Sequence, residues 1–350
     1  MSIENLKDYY GRVLKGSFDL KTTACCLPTA APPRIAALLA DIHEDVKARF
    51  YGCGLIAPDL LEGATVLDLG CGAGRDAYLL SRLVGERGRV IGVDMTPEQL
   101  SVARKHVDWH TKRYGYREPN VDFYEAYIEA LDGVPLAAGS MDVVVSNCVV
   151  NLSPDKRRVF DQVFRLLKPS GEFYFSDVYA DRRLPSSVQA DPVLHAECLG
   201  GALYWNDFLA IVKQAGFLDP RLVTWHEIEI TDPALKGEIG SARFFSATYR
   251  SFKLAGLESA CEDYGQAVIY RGGGDGADDR LDFDAHHRFE AGRVVPVCGN
   301  TMRMLRETRF APHFDVIGNG DRHYGIFPGC GTSMPFAASS GGSSGSTGCC

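Results

Sequence analysis

The stretch Gly63-Ala-Thr-Val-Leu-Asp-Leu-Gly70 is an apolar run of strand type that ends in the glycine turn Cys71-Gly-Ala-Gly74 and passes into an amphipathic segment, Arg75 to Leu83. This strand, glycine loop and helix constrain the fold more than any other feature. A second strand, Arg89-Val-Ile-Gly-Val-Asp94, leads to a marked helix start with Thr96 as N-cap, Pro97 at N1 and Gln99 at N3, and that helix is predicted to run to Gly115. Further strands are expected at 120–124, 142–147 and Phe173-Tyr-Phe-Ser-Asp-Val178. Between the last two, Ser153-Pro154 reads as the cap of a helix whose apolar face is Val159, Phe160, Val163, Leu166 and Leu167. Strands alternating with helices predict an α/β, doubly wound, mostly parallel Rossmann-like sheet.

In such a sheet, ligands sit beyond the C-terminal ends of the strands, near the switch in strand order. The loop Asp68-Leu-Gly70-Cys71-Gly72-Ala-Gly74 lies there. It fails as a dinucleotide fingerprint because Arg75 stands where the third glycine is needed. Asp94 ends strand two, positioned to accept hydrogen bonds from ribose hydroxyls, and Asn147 ends strand four beside Cys148. No His or carboxylate stands at this strand end to take a proton from an oxygen or nitrogen acceptor. A soft acceptor with its own lone pair needs no base, and trivalent arsenic, which prefers sulfur ligands, has that chemistry.

The rest of the composition bounds the classes. With 37 Lys and Arg against 45 Asp and Glu, net charge −8, no broad field attracts nucleic acid or an anionic membrane. No apolar stretch is long enough to span a bilayer. The opening MSIENLKDYYGRVLK has no apolar signal core, so a cytoplasmic, reducing location and mostly free thiols are expected. Eleven cysteines without a C-x-x-C pair argue against a zinc finger, and no structural metal is expected. Cys261, Cys298 and Cys330 read as structural or incidental, and His286 and His287 read as opposite faces of one strand.

The motifs VLDLGCGAG, VIGVD and LLKPSGEFYFSDV resemble those of class I S-adenosylmethionine-dependent methyltransferases. The resemblance implies that Gly70, Cys71 and Gly72 lie against the methionine part, that Asp94 holds the ribose, that Met95 flanks the adenine, and that Ile128 and Glu129 border the ring. Asp68 and Asn147 complete the cofactor set. With DYYGRVL, DLKTTAC, HEDVKARFYGCGL, VVSNCVVNLSPDK and HAECLGGALYW, the chain resembles the arsenite S-adenosylmethionine methyltransferases in particular. That family's four functional cysteines fall on Cys25, Cys53, Cys148 and Cys198, with Cys26 beside Cys25 as an alternative, and Tyr51 and Arg75 match further cofactor-side residues.

The resemblance implies that Cys148 and Cys198 bind trivalent arsenic, with Cys53 or glutathione as third ligand, and that Cys25 and Cys53 serve the first round and the redox work. Arsenite and methylarsenite are then the substrates, mono- and dimethylated arsenicals the products, and arsenic detoxification the purpose. Each methylation formally oxidises the arsenic, so two electrons are needed, which one dithiol supplies on becoming a disulfide. Thioredoxin or glutathione would recycle it. Two other classes stay open at this point: a methyltransferase for a small organic acceptor, and a non-catalytic arsenic-binding thiol protein.

The expected organisation is an N-terminal arm over 1–62, a cofactor domain over 63–180, a substrate domain over 181–270, a C-terminal domain over 271–336 and a Gly/Ser tail over 337–350. The tail ends in Cys349-Cys350, either a spare arsenite-capturing dithiol or a dispensable end.

Overall fold

The structure is a computed structural model that describes residues 7, 9–13, 31–230, 232–273 and 279–330. Cys25, Cys26 and the tail with Cys349 and Cys350 lie outside the described residues. The main sheet is built from β1 (Thr65–Leu69), β2 (Arg89–Asp94), β3 (Val121–Glu125), β4 (Met141–Asn147), β5 (Leu167–Ala180), β6 (Leu203–Tyr204), β7 (Arg221–Glu227) and β8 (Phe244–Phe252). Its order is β3-β2-β1-β4-β5-β8-β7, with β6 paired to β5. The pairings of β1 to β5 are parallel, whereas β8 is antiparallel to both β5 and β7. The order reverses between β1 and β4, so a crevice opens beyond their C-terminal ends.

The central strands β1 and β4 are buried over most of their length, as strands covered on both faces must be. Helix α1 (Arg75–Val84) packs Tyr78, Leu79, Leu80 and Leu83 into one core layer, and α4 (Lys156–Leu166) packs Val159, Phe160, Val163 and Leu166 into the other. Residues 181–270, expected as a substrate domain covering the cofactor site, supply β6, β7 and β8 to the same sheet. The boundary expected at 180 therefore runs through the sheet.

Three local expectations change. The helix after β2 is two helices, α2 (Pro97–Lys105) and α3 (Val107–Tyr114), broken at His106, whose φ of −104° and ψ of 8° leave the helical region. The ring Nε2 of His106 instead meets Asp45 Oδ2 at 3.0 Å. Thr96 occupies the N-cap position of α2 but makes no side-chain cap; its backbone N–H donates to Asp94 Oδ1 at 2.8 Å. Helix α4 is capped by Asp155, which accepts from the N–H of Arg158 at 3.0 Å, because the Ser153 hydroxyl is engaged with Glu129 Oε2 at 3.0 Å and accepts from the N–H of Asp155 at 3.2 Å.

The C-terminal unit has its own apolar core around Tyr270, Phe283, Phe289, Met304, Phe310 and Phe314. It contains β9 (Glu262–Asp263), β10 (Ala267–Tyr270), the hairpin of β11 (Arg280–Asp282) and β12 (Arg288–Glu290), β13 (Val294–Pro296), helix α5 (Gly299–Arg306), β14 (Phe314–Ile317) and β15 (Gly325–Ile326). His286 and His287 sit in the turn of that hairpin rather than in a strand, and His287 Nδ1 bonds Asp284 Oδ1 at 2.8 Å.

Candidate active site

The crevice at the strand switch encloses about 980 Å³ counted to its open mouth, the size that holds a small cofactor. Tyr51, Asp68, Gly70, Cys71, Gly72, Arg75, Asp94, Met95, Ile128, Glu129, Asn147 and Cys148 all line it. The loop after β1 turns back under Asp94, which accepts from the N–H of Gly72 at 2.9 Å through Oδ2. Cys71 is buried, and burial first, then Asp94 and Asp68, push its thiol well above the ordinary range, so it is packing rather than a reactive thiolate.

Asp68 is buried, and among the described residues its Oδ2 has no hydrogen-bond partner. Burial, followed by the charges of Asp76 and Asp94, drives its carboxyl well above the usual range against the pull of Arg75. A buried acceptor left open among three carboxylates is completed by a ligand carrying positive charge and N–H donors. An ammonium group beside a sulfonium has that chemistry, so the residues present fit S-adenosylmethionine. Arg75 is spoken for on the protein side: its guanidinium stacks on the Phe50 ring at 3.2 Å and donates from Nε to Asp76 Oδ1 at 2.8 Å.

The thiols gather at one wall of this crevice. Asn147, at the end of β4, donates from Nδ2 to Gly54 O at 3.0 Å and to Asp76 Oδ2 at 2.7 Å, and accepts from the N–H of Gly54 at 3.1 Å. These bonds lay the segment Gly52-Cys53-Gly54 flat across the strand ends. Both glycines are needed there, because a Cβ on Gly52 would stand 2.4 Å from Asn147 Nδ2 and one on Gly54 would stand 2.2 Å from Ser176 Oγ. Cys53 thereby meets Cys148, and the two form a disulfide with Cα atoms 5.6 Å apart. This pair is the exception among the described cysteines to the expectation of mostly free thiols; Cys71, Cys198, Cys261, Cys298 and Cys330 are thiols.

Cys198 follows the short helix Pro192–Ala196, and its Sγ donates to the carbonyl of Cys148 at 3.3 Å. Cys53, Cys148 and Cys198 thus share one buried cluster with Leu152, Leu194 and Leu199, and of the three cysteines Cys148 also lines the crevice. Cys148 and Cys198 both hold left-handed backbone, at φ +60° and +63°. A non-glycine residue kept there is strained, and such strain concentrates at functional sites. Behind them, Asp177 is buried, accepts from the N–H groups of Asn151 and Val178, and is pushed up to about 6, chiefly by burial.

Several lining residues escaped the sequence reading: Tyr10, Phe50, Asp76 and Gln99. Tyr10 is the most informative, since its hydroxyl donates to Ala196 O at 2.6 Å while its carbonyl accepts from Gln99 Nε2 at 2.7 Å. It ties the segment leading to Cys198 to the cofactor side, a long-range contact with no local signature. Asp76 had a signal, an acid in the first turn of a helix that starts at a ligand loop.

Comparison with known proteins adds to this geometry. The methyltransferase domain family matches residues 60–216, and the arsenite methyltransferase C-terminal domain matches residues 264–350. The chain is 59% identical, over 95% of its length and 96% of the relative's, to an arsenite methyltransferase of Aquipseudomonas alcaligenes. It is 44% identical to the arsenite methyltransferase of Homo sapiens over 91% of this chain and 84% of that one. The crystal structure of an arsenic(III) S-adenosylmethionine methyltransferase from Chlamydomonas reinhardtii superposes with a TM-score of 0.82 at 50% identity, covering 85% of this chain and 100% of that one.

Proposed function

Because the chain belongs to the arsenite methyltransferase family, we propose that it transfers methyl groups from S-adenosylmethionine to trivalent arsenic held by its own cysteines. The observation that carries this reading is the buried trio Cys53, Cys148 and Cys198 set against the crevice, with Cys148 in both.

Bound S-adenosylmethionine supplies an electrophilic methyl group on a sulfonium. Asp68, with its open oxygen, and Asp94 hold the charged and hydroxyl-bearing ends of that molecule; Met95, Ile128 and Glu129 border its ring, and Tyr51, Gly70, Cys71, Gly72, Arg75 and Asn147 shape the rest. Cys148 and Cys198 hold the arsenic, with Cys53 or glutathione as third ligand, so that its lone pair faces the crevice. Holding the partners in line contributes up to roughly 7–11 kcal/mol, on the scale of intramolecular reactions. No base is required, because no proton leaves the acceptor.

Arsenic that has accepted a methyl cation stands formally at the pentavalent level. Cys53 can return two electrons by attacking Cys148: the S–S bond forms, the arsenic–sulfur bond of Cys148 breaks with its electron pair left on the arsenic, and Cys53 gives up its thiol proton. In this reading the closed pair is the oxidised resting form, and thioredoxin or glutathione reopens it for the next substrate. Cys25 would join that relay.

The test incubates the protein with arsenite, S-adenosylmethionine, glutathione and thioredoxin, and separates the arsenic species by chromatography with element-specific detection. Mono- and dimethylated arsenic from the wild type, and none from Cys148→Ser or Cys198→Ser, is the expected result. Arsenite binding without any methylated product would overturn it.

A further inference from the structure

A second set of thiols lies away from the crevice. The sulfurs of Cys261, Cys298 and Cys330 all lie within 4.8 Å of one another. None lines the cofactor crevice, and none belongs to the apolar cluster around Cys198. Cys261 precedes β9, Cys298 is the N-cap of α5, and Cys330 follows β15, so three separated segments of the C-terminal unit converge on one point. Pairing of β15 with β9, and the bond from the N–H of Phe327 to Cys261 O at 2.7 Å, hold two of the segments in register.

We propose that this trio is a second trivalent-arsenic site, one that stores the metalloid with all three valences on sulfur rather than methylating it. Three sulfurs without a fourth ligand suit a three-coordinate, thiophilic centre. Among the described residues, no His, Asp or Glu completes a tetrahedral set of the kind zinc takes. Arg221 donates from Nη2 to Cys298 Sγ at 3.5 Å and to Asp219 Oδ2 at 2.7 Å.

The surroundings also prepare one sulfur for attack. The backbone N–H of Thr301 donates to Cys298 Sγ at 3.5 Å. The Thr301 hydroxyl lies 3.3 Å from the same sulfur. Cys298 is buried whereas Cys261 and Cys330 are half-buried, so the site is open on one side. Loading is an exchange without redox change. Arsenous acid loses three As–O bonds and gains three As–S bonds, and each thiol proton leaves with a hydroxide as water.

The test uses the full chain with Cys148→Ser and Cys198→Ser, kept reduced, loaded with arsenite and desalted. Arsenic per chain is measured by element-specific mass spectrometry, and the coordination shell by arsenic X-ray absorption. The expected result is bound arsenic with a three-sulfur shell, and loss of one arsenic per chain together with that shell when Cys298→Ser is added. Cys330→Ser, at a half-buried position, gives the same reading if Cys298→Ser does not fold. Unchanged arsenic content in either folded variant overturns the proposal. So does zinc copurifying with the wild type in a four-ligand shell that Cys298→Ser abolishes.

Discussion

Gly54 shows how little room the thiol centre leaves. A Cβ there would stand 2.2 Å from Ser176 Oγ, and its backbone is the partner of Asn147 on both sides. Gly54→Ala must push the segment off the strand ends and carry Cys53 away from Cys148. We expect a loss of about 1–3 kcal/mol in stability, the usual cost of overpacking, and a fall in arsenic methylation of more than roughly tenfold, since a misplacement of about 1 Å can cost about a hundredfold in rate. Urea melts and arsenic speciation measure the two. Asp177 makes a prediction of the other kind. Its folded pKa of about 6 lies above its ordinary 3.8, so the folded state holds the proton more tightly. Its contribution to stability is fully present below the unfolded value and is lost as pH rises through about 6, a span on the order of 3 kcal/mol. Asp177→Asn should flatten stability against pH between about 4 and 7, whatever it does to the absolute level. Urea midpoints across that window decide it; an unchanged slope would contradict the assignment.

Elements differ in how much of them the sequence made legible. Strands β1, β2, β4 and the core of β5 were readable because their apolar runs and glycine turns are local. Helix breaks were not: His106 leaves the helical region while its ring contacts Asp45, a partner far away in the chain. The same division holds in the site. Asp68, Asp94 and the glycine loop follow from strand ends, whereas Tyr10 and the meeting of Cys261, Cys298 and Cys330 depend on tertiary closure alone. One join between elements was also invisible. Glu172 on β5 is fully buried between Arg250 on β8, whose Nε lies 2.7 Å from Oε1, and Arg309 from the C-terminal unit, whose Nη2 lies 2.5 Å from Oε2. Arg250 Nη1 also donates to Phe283 O at 2.5 Å, and Arg309 Nε to Asp59 O at 2.8 Å. This network fastens the main sheet to the C-terminal unit. Glu172→Gln removes the carboxylate that the two guanidinium groups share and leaves buried Arg250 with the partly exposed Asp59 at 3.7 Å, so we expect a loss of about 3–5 kcal/mol. Differential scanning calorimetry would read it as a lowered Tm; a shift of less than about 1 °C would show the network to be incidental.

Across the whole molecule, the bond between Cys53 and Cys148 joins residues 95 apart in sequence. It fastens the segment that approaches the sheet from the N-terminal side to the strand end at the centre of the fold. Opening it returns to the unfolded chain the freedom of a loop that size, which chain-entropy models set at about 4–5 kcal/mol. Opening it also frees the sulfurs that the proposed chemistry requires, so the form competent to take arsenic should be the less stable one. The wild type should melt at a lower temperature under a dithiol reductant than without it, and Cys53→Ser should show the lower value under both conditions. Cys71→Ser leaves the pair intact and should keep the difference. If reduction leaves the wild-type Tm unchanged, the bond does not brace the fold, and the redox step loses its coupling to stability.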